Sequence, residues 1–354
     1  MKKSVMSLLA LAVVAGCCLT SCGNGAAKTV EVLVQTADHG WTGAVQSYAK
    51  EKVDALNKEG KYKVNLTACE DATVEANKVA DLLVNKDALN GIVLLPIDNT
   101  MSSSLDKIVA ANVPFVQFDR VVKTDNITNA ACRVSNVLGD NYGIGVATAK
   151  RFIQKGIKPG EKILIMPGDN SSVPVSRTSG FTDTLKSEGG WTDAQLKDAI
   201  YTTDYTGWSR TKSIDLFTNW VNLGTYADYK WIFTHDDEIA MGILETLNST
   251  RVTDDVKTWF KESVTSLASS SSLDEIYAVM EGKHTTDYKG LFLQHCYLFD
   301  VTYDPAMIQT AIQDMIDHLD GKTVTKDHVI AVNTVDADNV SQFKGFGSGN
   351  YRVA

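Results

Sequence analysis

The feature that most constrains the fold of this 354-residue chain is a regular alternation of short apolar runs with stretches of helical spacing. In the first part of the chain, the apolar runs predict strands at Val30–Val34, Tyr62–Thr67, Gly91–Pro96 and Pro114–Phe118. The stretches between them predict helices at Ala44–Leu56, Val74–Val84 and Ser102–Ala111. Continuous apolar runs are typical of strands that are buried on both faces. The alternation therefore predicts a parallel sheet covered by helices on both sides.

The same alternation begins again at Tyr142. Further strands are predicted at Lys162–Met166, Leu196–Tyr201, Trp231–Thr234 and Glu262–Leu267. Further helices are predicted at Tyr142–Gly156, Val175–Ser187, Trp208–Leu223 and Leu273–Gly282. A domain typically takes roughly 150 residues, so the length also suits two units. We therefore expect two doubly wound α/β units, with a tight crossing near Arg133–Asn136 because no long linker separates them.

Residues 1–21 have the organisation of a signal peptide. Lys2 and Lys3 precede the apolar run Val5–Val14, which is too short for the roughly 20 residues of a membrane span. The run ends in Leu19-Thr20-Ser21-Cys22, which looks like a bacterial lipoprotein signal whose cleavage leaves Cys22 as a lipidated N-terminus. We predict a lipidated linker over residues 22–28, and a protein anchored to a membrane of the cell envelope that faces the periplasm or the exterior. The alternative is an ordinary secretory peptide that is cut elsewhere.

Charge and cysteine content exclude several classes of function. The net charge of −9 argues against nucleic acid as the main partner, because phosphate contacts need clustered Lys and Arg. Beyond the lipoprotein motif the chain keeps Cys69, Cys132 and Cys296, with no C-x-x-C spacing, so neither a zinc site nor a redox pair is predicted. We expect buried free thiols, and a single disulfide is the alternative in an extracytoplasmic setting.

Aromatic, Arg and carboxylate side chains follow the predicted strands. In an open parallel sheet, ligands bind outside the carboxyl ends of the strands. Candidate site residues at these ends are Asp38 and Trp41 after the first strand, then Asp119, Arg120, Arg177, Trp208 and Asp236 after later strands. Such a concentration at one edge of each sheet predicts a binding site.

A sugar suits these side chains best. An indole can lie flat on the apolar face of a sugar ring with little loss of rotamer entropy. Carboxylates accept several hydrogen bonds, and Arg offers a rigid fork of donors for the hydroxyl groups. Trp41 and Trp208 fall in different units, so each could cover one face of the ring.

Structural roles are the alternatives for these residues. Trp208 could pack a helix, and Asp119 with Arg120 could form a surface ion pair. Asp237 and Glu238 are expected to be first-turn carboxylates, which are favoured at a helix N-terminus.

Motifs that would indicate an enzyme are missing from the sequence. Gly139–Gly145 lacks the Lys of a phosphate-binding loop, and neither G-x-S-x-G nor H-E-x-x-H occurs. We therefore predict no catalysis, no cofactor and no metal, and an extracytoplasmic carbohydrate-active enzyme remains the alternative from another class.

Five motifs in order resemble the type I periplasmic sugar-binding proteins of the ribose- and galactose-binding group, over roughly residues 29 to 335. They are Val113-Pro114-Phe115-Val116-Gln117-Phe118-Asp119-Arg120, Ser135-Asn136-Val137-Leu138-Gly139, Arg177-Thr178-Ser179-Gly180-Phe181, His235-Asp236-Asp237-Glu238-Ile239-Ala240-Met241-Gly242 and Val301-Thr302-Tyr303-Asp304-Pro305. The resemblance implies that Trp41, Asp119, Arg120, Arg177, Trp208 and Asp236 contact the ligand, with Asp38 beside Trp41 and Tyr303 at the last crossing.

One position departs from the pattern of that group. Where the family often has Asp after the strand Glu262–Leu267, this chain has Ser269-Ser270-Ser271-Ser272. A ligand contact there would come from a hydroxyl group, and Ser270 is the candidate.

The resemblance also implies the domain organisation. Two Rossmann-like lobes, as in periplasmic binding proteins of type I, would be joined by a three-strand hinge near residues 133–136, 300–304 and 332–336. The N-terminal lobe would hold residues 29–133 plus 304–332, and the C-terminal lobe residues 134–303 plus 333–354.

The family resemblance implies a function and partners as well. The protein would be a monomeric receptor that closes on a monosaccharide or related polyol and delivers it to the permease subunits of an ABC transporter. The alternative is a sensory receptor of the same fold that passes its bound state to a chemoreceptor or a sensor kinase.

Overall fold

The computed structural model describes residues 27–37, 40–347 and 349–353. The predicted signal peptide, the lipidation site Cys22 and the candidate ligand residue Asp38 lie outside the described residues. No helix within the described ranges is long and apolar enough to cross a membrane.

Twelve strands are seen within the described residues. They are β1 Lys28–Gln35, β2 Tyr62–Cys69, β3 Gly91–Leu94, β4 Phe115–Phe118, β5 Arg133–Gly139, β6 Lys162–Met166, β7 Ile200–Thr202, β8 Tyr229–Thr234, β9 Ser266–Ser270, β10 Tyr297–Val301, β11 Asp327–Ile330 and β12 Thr334–Asp336.

Helices connect these strands. They are α1 Gly40–Glu59, α2 Ala72–Val84, α3 Ser102–Ala110, α4 Asp125–Thr128, α5 Asn141–Lys155, α6 Ser172–Gly189, α7 Asp193–Ala199, α8 Arg210–Val221, α9 Asp237–Leu247, α10 Asp254–Ser263, α11 Asp274–Glu281, α12 Tyr288–Phe292 and α13 Met307–Leu319.

The strands form two six-stranded sheets, one in each lobe. The first sheet has the order β11-β5-β4-β3-β1-β2 and the second β12-β10-β9-β8-β6-β7. All pairings are parallel except β10 with β12, which is antiparallel. The prediction of two doubly wound α/β lobes is confirmed, and the second sheet adds an antiparallel edge strand.

Both faces of the first sheet are buried, as its apolar strands require. One face packs on α2 and α3 through a cluster that includes Ile92, Leu105 and Phe115. The other face packs on α1 and α13. The chain therefore returns from β10 of the second lobe to the first lobe, where it forms α13. Burial on both faces fixes the strands, and their carboxyl ends therefore hold the loops of the site in place.

The first crossing between the lobes lies later than residues 133–136, where the sequence predicts it. β5 pairs with β4 and β11, so residues up to Gly139 belong to the first sheet. The polar pair Ser135 and Asn136 interrupts the apolar pattern of this strand. Both side chains are buried but bonded, Ser135 to Asp314 and Asn136 to Asp327. Satisfied hydrogen bonds allow a polar pair inside a buried strand.

Two further strand predictions in the second lobe were placed too early. Leu196 lies in α7, because Thr192 and Gln195 form a capping box that starts a helix there. Glu262 lies in α10, whose buried residues Val256, Trp259 and Phe260 recur at helical spacing. The strands β7 and β9 therefore begin only after these helices end.

Candidate functional site

A small cavity lies between the lobes, at the carboxyl ends of the strands. Its lining contains most of the residues that the sequence singled out. These are Trp41, Asp119, Arg120, Arg177, Trp208, Asp236 and Tyr303, joined by Gln35, Thr42 and Val173. Residues from widely separated parts of the chain thus meet at one place.

Trp41 is held rigidly on the first-lobe side of the cavity. It lies in the first turn of α1, and its indole stacks on Phe118 with the ring centroids 6.1 Å apart and the planes 7° from parallel. Its Nε1 donates a hydrogen bond to the carbonyl of Tyr303 at 2.9 Å. Only 7% of Trp41 is exposed, so the indole has a fixed orientation at the cavity wall.

Asp119 and Arg120 follow β4 and point into the site, so the alternative of an exposed surface ion pair is wrong. The side chains are 7% and 15% exposed, and Arg120 Nε lies 3.9 Å from Asp119 Oδ2. Asp119 has φ 62°, a left-handed conformation that an Asp side chain tolerates. Burial raises the pKa of Asp119, although the charge of Arg120 opposes that shift.

Arg177 is the most buried cation of the site, with 2% exposure. Its guanidinium donates to Asn141 Oδ1, to the carbonyl of His235 and to Ser270 Oγ. Its Cζ also lies 5.5 Å from the centroid of the Trp208 ring. These partners fix the orientation of the guanidinium beside the cavity.

Ser270 does not line the cavity, which corrects its predicted role as a direct ligand contact. It is fully buried at the end of β9, and its hydroxyl donates to the carbonyl of His235 while it accepts from Arg177. The hydroxyl therefore supports Arg177 from behind.

Trp208 covers the second-lobe side of the cavity and does not pack the body of a helix. It precedes α8, has φ 60° and is 8% exposed. Non-Gly residues in this conformation concentrate at functional sites. A Cβ on Gly168 would overlap the indole ring, so this glycine makes room for it. Trp208 Nε1 donates to Asp169 Oδ2 at 2.8 Å.

Asp236 combines a structural role with a place in the cavity wall. Its Oδ1 accepts from the backbone N–H of Glu238 at 2.8 Å, so Asp236 caps α9. Asp237 and Glu238 lie in the first turn of that helix, as the sequence predicted. Burial and the charges of Asp237 and Glu238 raise the pKa of Asp236 well above its usual range. This shift favours the protonated carboxyl group, which can donate a hydrogen bond as well as accept one.

Tyr303 forms the floor of the cavity and contacts both lobes. Its hydroxyl donates to Asp119 in the first lobe and accepts from Asn141 Nδ2 in the second at 3.2 Å. Its ring lies where a Cβ on Gly139 would be, and Arg177 Cζ lies 4.9 Å from its centroid. Tyr303 lies at a chain crossing and thus bonds to side chains of both lobes.

Two polar residues that support the site were missed. Asn141 bridges Arg177 and Tyr303 at the start of α5, and Asp169 accepts from Trp208 and Arg120. Asp169 is the third residue after β6, so its place close to the end of a strand was a signal that could have identified it. The cysteines Cys69, Cys132 and Cys296 are free thiols, so no disulfide joins them.

The chain is similar to several known proteins. A family model described as the periplasmic binding protein domain matches residues 30–323. The ribose import binding protein RbsB of Bacillus subtilis is 24% identical over 261 residues, which cover 70% of this chain and 78% of the relative. A rhizopine-binding protein of Rhizobium meliloti, named as putative, is 25% identical over 229 residues, or 62% of this chain and 71% of the relative.

A solved structure shows the same fold. A solute-binding protein of an ABC transporter from Mycobacterium smegmatis, with bound glycerol, superposes with a TM-score of 0.70 at 20% identity. The match covers 93% of this chain and 100% of that protein. The chain therefore belongs to the periplasmic binding protein domain family, a family of binding proteins and not of enzymes, as the sequence predicted.

Proposed function

We propose that this protein is an extracytoplasmic receptor that captures a monosaccharide or a related polyol between its lobes and delivers it to the permease of an ABC transporter. The observation that carries the proposal is the composition of the cavity. Indoles from opposite lobes, Trp41 and Trp208, line it together with carboxyl groups and guanidinium groups. Aromatic faces and bidentate polar groups are the partners that a sugar ring and its hydroxyls need.

Capture would proceed by hinge closure. The cavity wall comes from both lobes, so a ligand makes its full set of contacts only when the lobes are together. A ligand that binds the closed state more tightly shifts the population toward that state. The family membership and the ribose import and rhizopine-binding relatives support capture of a small molecule.

Delivery would take place at a membrane. The lipoprotein-like stretch Leu19-Thr20-Ser21-Cys22 supports an anchor through a lipid on Cys22. The similarity to an ABC transporter solute-binding protein supports a permease as partner. A monomer would suffice, because one chain supplies both walls of the cavity.

Thermal unfolding with a panel of small molecules tests the proposal. Pentoses, hexoses and cyclic polyols form the panel, with an amino acid and a purine as controls. At a ligand concentration of 100 times Kd, a true ligand is expected to add about 2.7 kcal/mol to stability. The same ligand should leave Trp208→Ala and Asp236→Ala unshifted. A shift with only the amino acid or the purine would refute the proposal, and an unchanged shift in both variants would refute the site.

A further inference from the structure

Asp169 connects side chains from both lobes at the edge of the cavity. Its Oδ2 accepts from Arg120 Nη2 of the first lobe at 3.2 Å and from Trp208 Nε1 of the second lobe at 2.8 Å. Its Oδ1 accepts from the backbone N–H of Ser171 at 2.9 Å. Arg120 is anchored on its own lobe by a hydrogen bond to the carbonyl of Ile97. Each side chain of the contact is thus held by its own lobe, and the Arg120–Asp169 ion pair spans the cleft.

The ion pair separates two spaces. The inner space is the small cavity that Arg120 lines. The outer space is a wider cleft that Arg120 and Asp169 line together with Asp98, Asn170 and neighbouring loop residues. Because Arg120 faces both spaces and pairs with Asp169, the pair lies between the ligand cavity and the mouth of the cleft.

Electrostatics favours the pair in its ionised form. Burial acts to raise the pKa of Asp169, but Arg120 and the hydrogen bonds from Ser171 and Trp208 outweigh it and lower that pKa. The side chains of Arg120 and Asp169 are 15% and 27% exposed. Partial burial reduces the screening that makes fully exposed pairs weak. All atoms of the contact belong to the protein.

We propose that Asp169 is a positioning residue whose ion pair with Arg120 latches the lobes together at the mouth of the cavity, with or without ligand. The inference rests on the proposed function for its consequence in ligand release. Asp169 orients Trp208 and Arg120, which line the cavity from opposite lobes. Opening the cleft breaks the bond to Arg120 and leaves the bond to Trp208 in place. The latch therefore biases the empty protein toward closure and retards the escape of a bound ligand.

Small-angle X-ray scattering of the ligand-free protein tests the latch directly. Asp169→Asn removes the charge but keeps an oxygen acceptor for Trp208 Nε1. At low salt, this variant is expected to have a larger radius of gyration than the wild type. High salt should move the wild type toward the value of the variant, because screening weakens the ion pair. Asp198→Asn is the matched control, since Asp198 pairs with Lys162 within the second lobe. Equal radii for wild type and Asp169→Asn at low salt would overturn the latch.

The rate of ligand release provides the second test. D-ribose, D-allose and myo-inositol are the probes, in radiolabelled form, and release is followed by rapid filtration. Asp169→Asn should release a bound probe about fivefold faster than the wild type, as expected for a partly exposed pair worth about 1 kcal/mol. An unchanged release rate would contradict the latch. If no sugar or polyol binds at all, the proposed function fails, while the ligand-free scattering still decides the latch.

Discussion

Glu75 is a buried carboxyl group of the first lobe whose pKa is strongly shifted. It is 1% exposed, and its Oε2 accepts from the backbone N–H of Ile97 at 3.0 Å. Its Oε1 has no hydrogen-bond partner among the described residues. Burial, with a further contribution from Asp98, raises the pKa of Glu75 to about 7. Its ionisation is thus tied to folding.

Glu75→Gln is expected to change the pH dependence of stability. The folded pKa is above the unfolded value of about 4.3, so the folded protein binds this proton more tightly. The stabilisation that the protonated Glu75 contributes is complete below about pH 4 and is lost as the pH rises through the pKa of the folded state. The variant avoids that loss. Between pH 4 and pH 8, its free energy of unfolding should therefore fall by about 2–4 kcal/mol less than that of the wild type.

Urea unfolding at several pH values measures this difference. Glu59→Gln is the matched control, because Glu59 is exposed at the end of α1. A pH profile of Glu75→Gln that parallels the wild type would contradict the assignment.

Individual site residues could be predicted from the sequence where a polar residue lies within two positions of the end of a buried strand. Asp119, Arg120 and Asp236 are of this kind, and the structure brings them to one cavity. Ser270 was misjudged because sequence spacing does not show that Arg177 lies between its hydroxyl and the cavity. Asp169 also lies close to the end of a strand, but spacing does not show its contact with Arg120, a residue of the other lobe. Such contacts depend on how the lobes meet.

At the scale of elements, the turns that follow the strands are shaped by glycines packed against aromatic rings. Gly168 follows β6, and the Trp208 ring occupies the space that its side chain would need. Gly139 ends β5 and makes the same room for Tyr303. The glycines therefore determine how deeply the two rings enter the site.

Gly168→Ala is expected to weaken ligand binding at least tenfold by displacing the Trp208 indole. The new methyl group would overlap ring atoms that are held by the bond to Asp169, so the ring must move. Gly43→Ala is the control in α1, because its added Cβ would meet only Ala37 at an ordinary 3.6 Å. Calorimetric titration with the sugar or polyol that binds wild type measures both. Equal affinities for Gly168→Ala and Gly43→Ala would show that the ring position is unimportant.

The type and order of most elements followed from the sequence, while their ends did not. Continuous apolar strands such as β3 and β8 were found because both faces are buried. The strands β7 and β9 were placed too early because helices α7 and α10 bring apolar residues directly before them. When a short apolar run lies next to a helix, the sequence does not show at which residue the helix ends and the strand begins.

At the scale of the whole molecule, the last part of the chain completes both lobes. β11 forms an edge of the first sheet and β12 an edge of the second. The chain also reaches α13 of the first lobe only after β10 of the second. Neither lobe is a continuous segment, so the lobes are expected to unfold together.

A chain that ends at Lys326 should lose stability in both lobes at once. It lacks β11 and β12, which leaves β5 and β10 as unpaired edges. The urea midpoint should fall in a single transition, and binding should be lost. A chain that ends at Gly347 is the control, since it keeps both strands and loses Arg352, whose Nη2 lies 2.6 Å from Asp274 Oδ1. Two separate transitions, with one lobe unaffected, would contradict this linkage.

This interleaving could not be deduced from local spacing. The periodicity of apolar residues shows two units in series with one crossing between them, and only the resemblance of five motifs indicated that the chain crosses three times. The register of a strand with a partner far along the chain, such as β11 with β5, is set by tertiary packing. The residues of β11 and their neighbours in the sequence therefore do not indicate that β5 is the partner strand.

The tryptophans are distributed unevenly between the two lobes, so the intrinsic fluorescence of the lobes differs. Of the six tryptophans in the sequence, Trp41 alone precedes the first crossing, and the others fall between residues 191 and 259, in the second lobe. Trp41 is also hydrogen-bonded to the backbone of Tyr303, at a chain crossing. Replacing Trp41 by Phe would leave a tryptophan emission spectrum that comes from the second lobe alone. The difference between the two spectra isolates the first lobe, so the native chain already carries a fluorescence reporter at the boundary where its lobes meet.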